Sequence, residues 1–185
     1  MCAAKKSPRL DEIPVKGSGL AGETNQPAVC HATALRKATR RMSQLYDAAL
    51  APIGLRSTQR SILRQINNAG ELSMSELAEA LVLDRSALNH NLKPLERDGL
   101  LTVAVAQEDK RGRVVRLTQA GHDKLQASHS LWQDAQRRFE SIIPSSQVAT
   151  LTATLALIAS PEFTDKFTGT AGKIISRKKA NKFAR

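Results

Sequence analysis

A mainly α-helical domain with one small β-hairpin is the fold class that the sequence predicts, on three observations. Two short helical patterns follow each other directly within residues 73–99. Behind them the apolar spacing changes from helical to extended, in two short runs at residues 100–106 and 114–117. Apolar residues at alternating steps of three and four then mark longer helices towards both ends of the chain, at 32–50 and 119–160.

Composition and charge limit the class of protein. The 185 residues suit one domain with tails, and the 41% apolar share permits a core that is mainly aliphatic, because only 3% of residues are aromatic. A net charge of +11 indicates a polyanionic partner, either nucleic acid or an anionic membrane. We expect no membrane contact, because no apolar run approaches the about 18 residues of a membrane span. Two cysteines make no disulfide framework, so we expect a cytoplasmic protein.

The two adjacent short helices each have a start signal. Ser73 is followed by Glu76 at the spacing of a capping box, in which each side chain satisfies a backbone amide of the other residue. Asp84 is the predicted cap of the second helix, and Gly99 is its predicted left-handed end. The apolar side of this second helix is formed by Ala87, Leu88, Leu92 and Leu95.

The opposite face of the second helix carries hydrogen-bonding and cationic groups. They are Arg85, Ser86, Asn89, His90, Asn91, Lys93 and Arg97. Such groups suit base edges and phosphates, which favours a helix-turn-helix whose second member enters the major groove. The alternative is a pair of amphipathic helices in another α-helical domain, with a solvated outer face.

Two helices are predicted before this pair. Residues 1–29 show no periodicity and are interpreted as a disordered N-terminal arm, either inert or reaching the minor groove. A first helix starts at Ala32 and ends at Pro52 and Gly54, and a second is expected to start at the cap Ser57. The second helix would bury Ile62, Leu63 and Ile66.

The two extended runs behind the helix pair predict a two-stranded hairpin, which in this position is a wing. The polar loop 107–113 joins the strands, with Gly112 in the turn. Its cations are Lys110, Arg111 and Arg113. The alternative is a solvated charged turn without a binding role.

The C-terminal part continues with helices. Thr118 is the predicted cap of a long helix that Pro144 ends, and Ser145 or Ser146 is expected to cap another. Pro161 is predicted to end the ordered part, so that 161–185 form a basic flexible tail. The apolar rows that need covering are Leu35–Ala49, Leu125–Ile142 and Val148–Ile158. One small domain cannot bury all three, which predicts a homodimer built from the terminal helices.

Four stretches of this chain have a specific sequence pattern, namely GLRSTQRSIL (54–63), LSMSELAEAL (72–81), NLKPLERDGLL (91–101) and VVRLTQAG (114–121). With them, residues 30–160 resemble the MarR family of bacterial transcription regulators. Pro94 by itself argues against a helix, since proline lacks an amide donor. It lies, however, in the segment LKPLE, which resembles a sequence that recurs in this family. The resemblance implies a winged helix-turn-helix at 55–118 between dimerisation helices at 32–50 and 119–160.

The wing departs from the family pattern. The family often has D-x-R-D-x-R there, and in this chain Ala106 and Glu108 replace the first pair, whereas Asp109 and Arg111 keep the second. By analogy Asp109 orients Arg111 for the minor groove through charge-assisted hydrogen bonds, and Arg113 is the candidate to replace the lost contact.

From the resemblance we expect a sequence-specific dimer with two recognition helices about 34 Å apart on a double-stranded, pseudo-palindromic operator. The candidate readers of base edges are Ser86, Asn89, His90 and Asn91. The candidate phosphate or minor-groove contacts are Arg85, Lys93, Arg97 and the wing cations.

The resemblance also implies regulation, most simply a repressor released by a small aromatic or acyl-thioester-like effector. Candidate effector-binding residues are Arg40, Tyr46, Gln59, Arg60, His129 and Trp132. The alternative gives the two aromatic side chains a place in the core or interface and the two arginines a place on the surface. Cys30 precedes the first helix, whose amides can lower a thiol pKa, so it is either a peroxide-sensing thiol or an unreactive one without a resolving partner.

Other classes of protein are less well matched. Cys30 and His31 are adjacent and point apart at a helix start, so they do not form a nucleophile pair, and no enzymatic activity is expected. The four histidines lack metal-ligand spacing and no glycine-rich phosphate loop occurs, so we expect no cofactor. An architectural protein that coats DNA without sequence preference, or a winged helix used only for protein contacts, stays as an alternative.

Overall fold

The computed structural model of the protein describes residues 30–106 and 112–169. The chain divides into two units, residues 1–36 and 37–185. In the first unit, the described part is Cys30 and the opening turns of the first helix. The predicted arm at 1–29 lies outside the described residues, as do the wing residues Asp109, Lys110 and Arg111.

The order of elements is mainly helical. The helices are α1 (His31–Leu50), α2 (Ser57–Ala69), α3 (Met74–Ala80), α4 (Arg85–Arg97), α5 (Gln119–Ile142), α6 (Ser145–Ala159) and α7 (Pro161–Gly169). The strands are β1 (Glu71–Ser73), β2 (Leu101–Val105) and β3 (Arg113–Leu117). This architecture confirms the predicted fold class of a mainly α protein with a winged helix-turn-helix.

The sheet has one strand more than the predicted hairpin. Its order is β1-β3-β2, and both pairings are antiparallel. In β1, Glu71 lies opposite Arg116 of β3, and the two side chains form an ion pair. Because β1 has three residues and a single apolar side chain, Leu72, it shows no periodicity from which a strand could be predicted.

The hydrophobic core lies among α2, α3, α4 and the sheet, and it is aliphatic as predicted. Its fully buried apolar side chains are Leu50, Leu63, Ile66, Leu77, Leu88, Leu95, Leu101 and Val115. Each buried leucine or isoleucine contributes on the order of 1.5–3 kcal/mol relative to exposure, so this cluster dominates the stability of the domain.

The junction between α4, β2 and α5 is tightly packed. A Cβ at Gly121, in the first turn of α5, would lie 1.9 Å from the Leu100 carbonyl oxygen, so only glycine fits there. Thr118 caps α5 as predicted, because its Oγ1 accepts from the Gly121 amide at 3.1 Å. The same hydroxyl donates to the Gly99 carbonyl at 2.6 Å, and Gly99 ends α4 with a left-handed φ of 69°.

Two predicted helix caps are wrong. Ser57 is the first residue of α2 rather than its cap, and its amide and hydroxyl both donate to Asp47 Oδ1, at 2.7 and 2.6 Å. Its hydroxyl is therefore engaged as a donor to α1 and does not accept from its own helix. Neither Ser145 nor Ser146 caps α6, because Pro144 occupies the cap position and both serines lie inside the first turn.

The prediction that Pro161 ends the ordered part is also wrong. Pro161 is the first residue of α7, where a missing amide donor costs nothing and the fixed φ suits a helix. Ser160 supports this start, since its Oγ accepts from the Phe163 amide at 3.2 Å.

The terminal helices leave their apolar rows uncovered within the chain. No residue of α6 or α7 is buried, and in α1 only Leu50 is. Leu45 is 56% exposed, and Phe167, which stacks on Phe163, is 72% exposed. In the described part of the chain no single helix is long and apolar enough to cross a membrane; α5 and α6, bent by 115°, meet that length and composition only as a pair.

Candidate nucleic-acid interface and adjoining cavity

Both start signals of the helix pair are confirmed. The Glu76 amide donates to Ser73 Oγ at 3.2 Å, and the Ser73 amide donates to Glu76 Oε2 at 2.8 Å. Hydrogen bonds from the Ser73 hydroxyl and amide to the carboxylate hold the pKa of the Glu76 carboxyl below its ordinary value. Asp84 Oδ1 accepts from the Ala87 amide at 2.7 Å and so fixes where α4 begins.

The recognition helix α4 has a buried side and an exposed side. Leu88, Leu92 and Leu95 are at most 3% exposed and fasten one side to the core. The exposed candidates for DNA contact are Arg85, Ser86, Asn89, His90, Lys93 and Arg97. Arg97 forms an ion pair with Asp98 at 3.0 Å, and because both are exposed this pair is weak and leaves the guanidinium available to a phosphate.

Asn91 is placed differently from the other predicted base readers. It is half-buried, and its Nδ2 donates to the Ala87 carbonyl at 2.8 Å within the helix. In this arrangement the side chain lies beside the core face, so the structure does not group it with Ser86, Asn89 and His90.

The turn between α3 and α4 contains a backbone feature that the sequence reasoning missed. Val82 has a φ of 53°, in the left-handed region that β-branched residues rarely adopt. Hydrogen bonds on either side hold it there, from the Val82 amide to Glu79 O at 3.0 Å and from the Leu83 amide to Ala78 O at 2.8 Å. The Val82 side chain is 70% exposed, so no packing compensates for the strain.

One predicted cation of the wing, Arg113, lies in the part of the wing that the structure describes. Arg113 is exposed at the start of β3, opposite Val105, and the Ala106 amide donates to Gly112 O at 3.0 Å where the strands meet the loop. The predicted roles of Asp109, Lys110 and Arg111 stay predictions.

Three of the predicted effector-binding residues come together between α2 and α5. Arg60 is only 5% exposed, its Nε donates to Ser128 Oγ at 3.0 Å, and its guanidinium carbon lies 4.5 Å from the centre of the Trp132 ring. Burial, with the nearby charge of Arg64, lowers the pKa of Arg60. The His129 ring stacks on Trp132 at 6.3 Å. The alternative that made Arg60 a surface charge is therefore wrong.

A cavity of about 650 Å³ opens beside this group. Its lining residues are Arg60, Arg64, Asn67, Asn68, His122, Leu125, Gln126, Ala127, His129 and Ser130. The sequence reasoning missed Arg64, whose guanidinium lies 5.9 Å from the Trp132 ring, and His122, whose Nδ1 is 3.0 Å from Asn67 Oδ1. The missed signal was helical spacing, since Arg60, Arg64 and Asn67 share one face of α2.

The other three predicted effector residues do not line this cavity. Tyr46 donates to Gln136 Oε1 at 2.7 Å, and burial, with the charge of Glu140, raises the pKa of Tyr46. Gln59 accepts from the Arg56 amide at 2.9 Å at the start of α2. Arg40 lies on the exposed side of α1, where it borders a separate surface depression of about 510 Å³.

Cys30 is exposed immediately before α1. Hydrogen bonds from the Thr33 hydroxyl and amide lower the pKa of its thiol. Within residues 30–106 and 112–169, no three His, Cys, Asp or Glu side chains come together as a metal site.

A capped recognition helix beside a short antiparallel sheet defines a winged helix-turn-helix protein. A family model described as "MarR family" matches residues 53–112. The multiple antibiotic resistance protein MarR of Salmonella typhimurium is 30% identical over 109 residues, which are 58% of this chain and 76% of that protein. The chain belongs to the MarR family, whose members are transcription regulators rather than enzymes.

A second curated relative matches over a shorter span. The uncharacterized HTH-type transcriptional regulator YdgJ of Bacillus subtilis is 31% identical over 75 residues, which are 40% of this chain and 46% of that protein. The chain thus spans about half the length of this relative.

Solved structures agree with this assignment. A cysteine-to-serine mutant of E. coli MarR complexed with operator DNA has a TM-score of 0.63 and 26% identity, over 69% of this chain and 91% of that one. The M. tuberculosis transcriptional regulator MosR in complex with DNA has a TM-score of 0.60 and 34% identity, over 69% and 98%. The protein is therefore a DNA-binding MarR-family transcriptional regulator.

Proposed function

We propose that the protein is a homodimeric repressor that binds a pseudo-palindromic operator through α4 and the wing and leaves it when a small effector binds. The observation that carries the proposal is the division of α4 into a buried leucine side and an exposed side of polar and cationic groups. A helix anchored in this way presents its outer side chains to the major groove in a fixed orientation.

The dimer is supported by apolar surface that one chain does not cover. The exposed apolar side chains of the C-terminal helices are Ile142, Leu151, Leu155, Leu157 and Phe167. Helix α6 has no charged residue at all, which is unusual for a solvent-exposed helix. A second copy packed on these helices would bury this surface and set two recognition helices about 34 Å apart, one turn of DNA.

The residues of α4 divide into two roles in the proposal. Ser86, Asn89 and His90 contact base edges, with the carboxamide of Asn89 suited to adenine. The phosphate contacts are Arg85, Lys93, Arg97 and Arg113, and Arg111 enters the minor groove, oriented by Asp109, with Lys110 beside it. These cations supply affinity that falls with salt, whereas the base contacts supply specificity.

The effector response is assigned to the cavity between α2 and α5. Helix α2 packs against α5 and also against α3 and α4. A ligand that changes the position of α2 against α5 therefore acts on the recognition helix, provided that it binds the DNA-free arrangement better. The family resemblance makes aromatic compounds and acyl thioesters the first classes to screen, with His129 and Arg60 as contacts.

Operator binding is tested with Asn89→Ala. Genomic footprinting identifies the operator, and fluorescence anisotropy then measures affinity for it and for a random duplex. Loss of a bidentate base contact costs about 1–3 kcal/mol, so we expect operator affinity to fall about 5- to 150-fold while random-duplex affinity is unchanged.

Ser75→Ala, an exposed substitution in α3, serves as the matched control and leaves both affinities unchanged. Equal affinity of the unmodified protein for operator and random duplex would instead favour an architectural protein that coats DNA. Equal loss on both duplexes in Asn89→Ala would contradict base reading by this residue.

A thiol-sensing regulator is the second candidate, because Cys30 is exposed and hydrogen bonds from Thr33 favour its thiolate. The test treats the protein and Cys30→Ser with an organic hydroperoxide and measures operator affinity. Release that disappears in Cys30→Ser supports this candidate, and unchanged affinity in both proteins rejects it.

A further inference from the structure

We propose that the cavity between α2 and α5 binds a small molecule through a phosphate group held by Arg60 and Arg64. This inference deepens the proposed effector response and rests on it only for the consequence of binding, the release of DNA. The binding itself is argued from the lining residues alone.

The lining of the cavity is cationic. Its charged and titratable members are Arg60, Arg64, His122 and His129, and it includes no aspartate or glutamate. Two guanidiniums without a carboxylate partner in the cavity form a site for an anion, and Arg60 is held there although it is only 5% exposed. A buried cation is stabilised when an anion binds against it.

Two like charges lie close together in this lining. Arg60 and Arg64 lie one helical turn apart and their guanidinium carbons are 4.5 and 5.9 Å from the same Trp132 ring. The charge of Arg64 contributes to the lowered pKa of Arg60, which is the signature of repulsion between them. An anion with two negative charges relieves this repulsion more than a monocarboxylate does.

The side chain of Arg60 is already held in place. Ser128 Oγ, which is fully buried, accepts from Arg60 Nε at 3.0 Å, and Trp132 lies against the same guanidinium. The terminal nitrogens of Arg60 therefore keep a fixed direction, and the planar guanidinium is suited to two phosphate oxygens. His122 is oriented by Asn67 at 3.0 Å and adds a ring nitrogen to the wall.

The lining residues favour a phosphate ester over the aromatic class of effector that the family resemblance implies. Eight of the ten lining residues are polar or charged, and only Leu125 and Ala127 are apolar. The Trp132 ring is not part of the lining and is already in contact with Arg60, Arg64 and His129. An aromatic monocarboxylate would therefore not find the indole ring free for stacking, whereas a polar phosphate ester matches the donors present.

The test uses Trp132, the single tryptophan of the chain, as a reporter beside the cavity. The full-length protein is titrated with glucose 6-phosphate, inorganic phosphate and benzoate, with intrinsic fluorescence and calorimetry read in parallel. We expect saturable binding of glucose 6-phosphate and no saturable binding of benzoate. The titration with inorganic phosphate distinguishes two kinds of ligand. If inorganic phosphate and glucose 6-phosphate bind with similar affinity, the site is assigned to the free ion. If glucose 6-phosphate binds more tightly, the site is assigned to a phosphorylated metabolite.

The variant is Arg64→Gln, chosen because Arg64 is exposed and its loss leaves the core intact. Removal of a charge-assisted contact predicts phosphate affinity lower by about tenfold or more. The control is Arg138→Gln, an exposed position elsewhere on α5 with the same loss of charge, which leaves affinity unchanged. Circular dichroism confirms that both variants are folded.

Three outcomes would each overturn the proposal. They are the absence of saturable phosphate binding, saturable binding of benzoate, and an equal loss of phosphate affinity in Arg64→Gln and Arg138→Gln. Operator affinity is measured in the same samples. If the protein binds phosphate but does not release DNA, the binding site stands and only its regulatory role is rejected. If the protein binds phosphate but does not recognise an operator, the result counts against the proposed function alone.

Discussion

The apolar rows of α4 and α6 look alike in sequence and have opposite fates in the structure. In α4, Leu88, Leu92 and Leu95 are at most 3% exposed, whereas in α6 Leu151 and Leu155 are 38% and 44% exposed. Periodic spacing therefore predicts that a helix forms and which side is apolar, but it does not predict what covers that side. The core around α4 is closed by its own chain, whereas the apolar side of α6 stays exposed, and we propose that a second copy covers it.

The largest effect is expected from Leu88→Ala in the closed core. Removal of a fully buried leucine side chain costs transfer free energy and leaves a cavity, so we expect the free energy of unfolding to fall by about 2–5 kcal/mol. Urea denaturation measures it at a fixed protein concentration. A loss below about 1 kcal/mol would mean that the leucine side of α4 is not buried in a closed core.

The next effect is expected from Leu155→Asp on α6. The side chain is 44% exposed in the single chain, so local helix stability changes little, but a charge at the proposed interface is not solvated. We expect the dimer dissociation constant to rise about 30-fold, the equivalent of an interface hot spot of about 2 kcal/mol. Sedimentation over a concentration series measures the constant. Ser146→Asp, at the exposed start of the same helix, is the control, and an unchanged dimer in Leu155→Asp would remove α6 from the interface.

A smaller effect of the opposite sign is expected from Val82→Gly. Glycine adopts the observed φ of 53° without strain, and relief of that strain exceeds the added entropy of the unfolded chain. We expect a gain of about 0.5–1 kcal/mol in thermal unfolding. Val105→Gly, an exposed strand position, should instead lower stability, and a loss in both variants would show that Val82 is not strained.

The smallest effect is expected from Glu76→Gln, which keeps the hydrogen-bonding reach of the capping box and removes its charge. Because the pKa of Glu76 is lowered in the folded protein, its stabilising contribution is present above the unfolded pKa and is lost as pH falls through the folded one. The melting temperatures of the two proteins should therefore differ at pH 7 and converge below about pH 4. A difference that does not change with pH would rule out the carboxylate as its source.

The features that the sequence predicts correctly are set by neighbouring residues. Ser73, Asp84 and Thr118 cap their helices because each cap needs only an amide two or three positions further on. Ser57 has the same local signal, but Asp47 of α1 engages its amide and hydroxyl, and nothing local reveals that partner.

The candidate cavity was predicted less completely than the helix pair for the same reason. Arg60 and His129 were identified, but the burial of Arg60 depends on Ser128 and Trp132, about 70 residues further along the chain. Arg64 shares a face of α2 with Arg60, but helical spacing alone does not show that this face packs against α5.

The contact between Gly121 and Leu100 has a mechanical consequence. Because the backbones of Gly121 and Leu100 touch, α5 cannot slide past the end of the recognition helix. The start of α5 and the end of the recognition helix therefore move together. Helix α5 has 24 residues and is about 36 Å long. A tilt of α5 by about 5° therefore displaces one end of the helix by about 3 Å relative to the other, a distance comparable to the rise between two base pairs. In the dimer that we propose, such a displacement would move the two recognition helices out of register with the two half-sites.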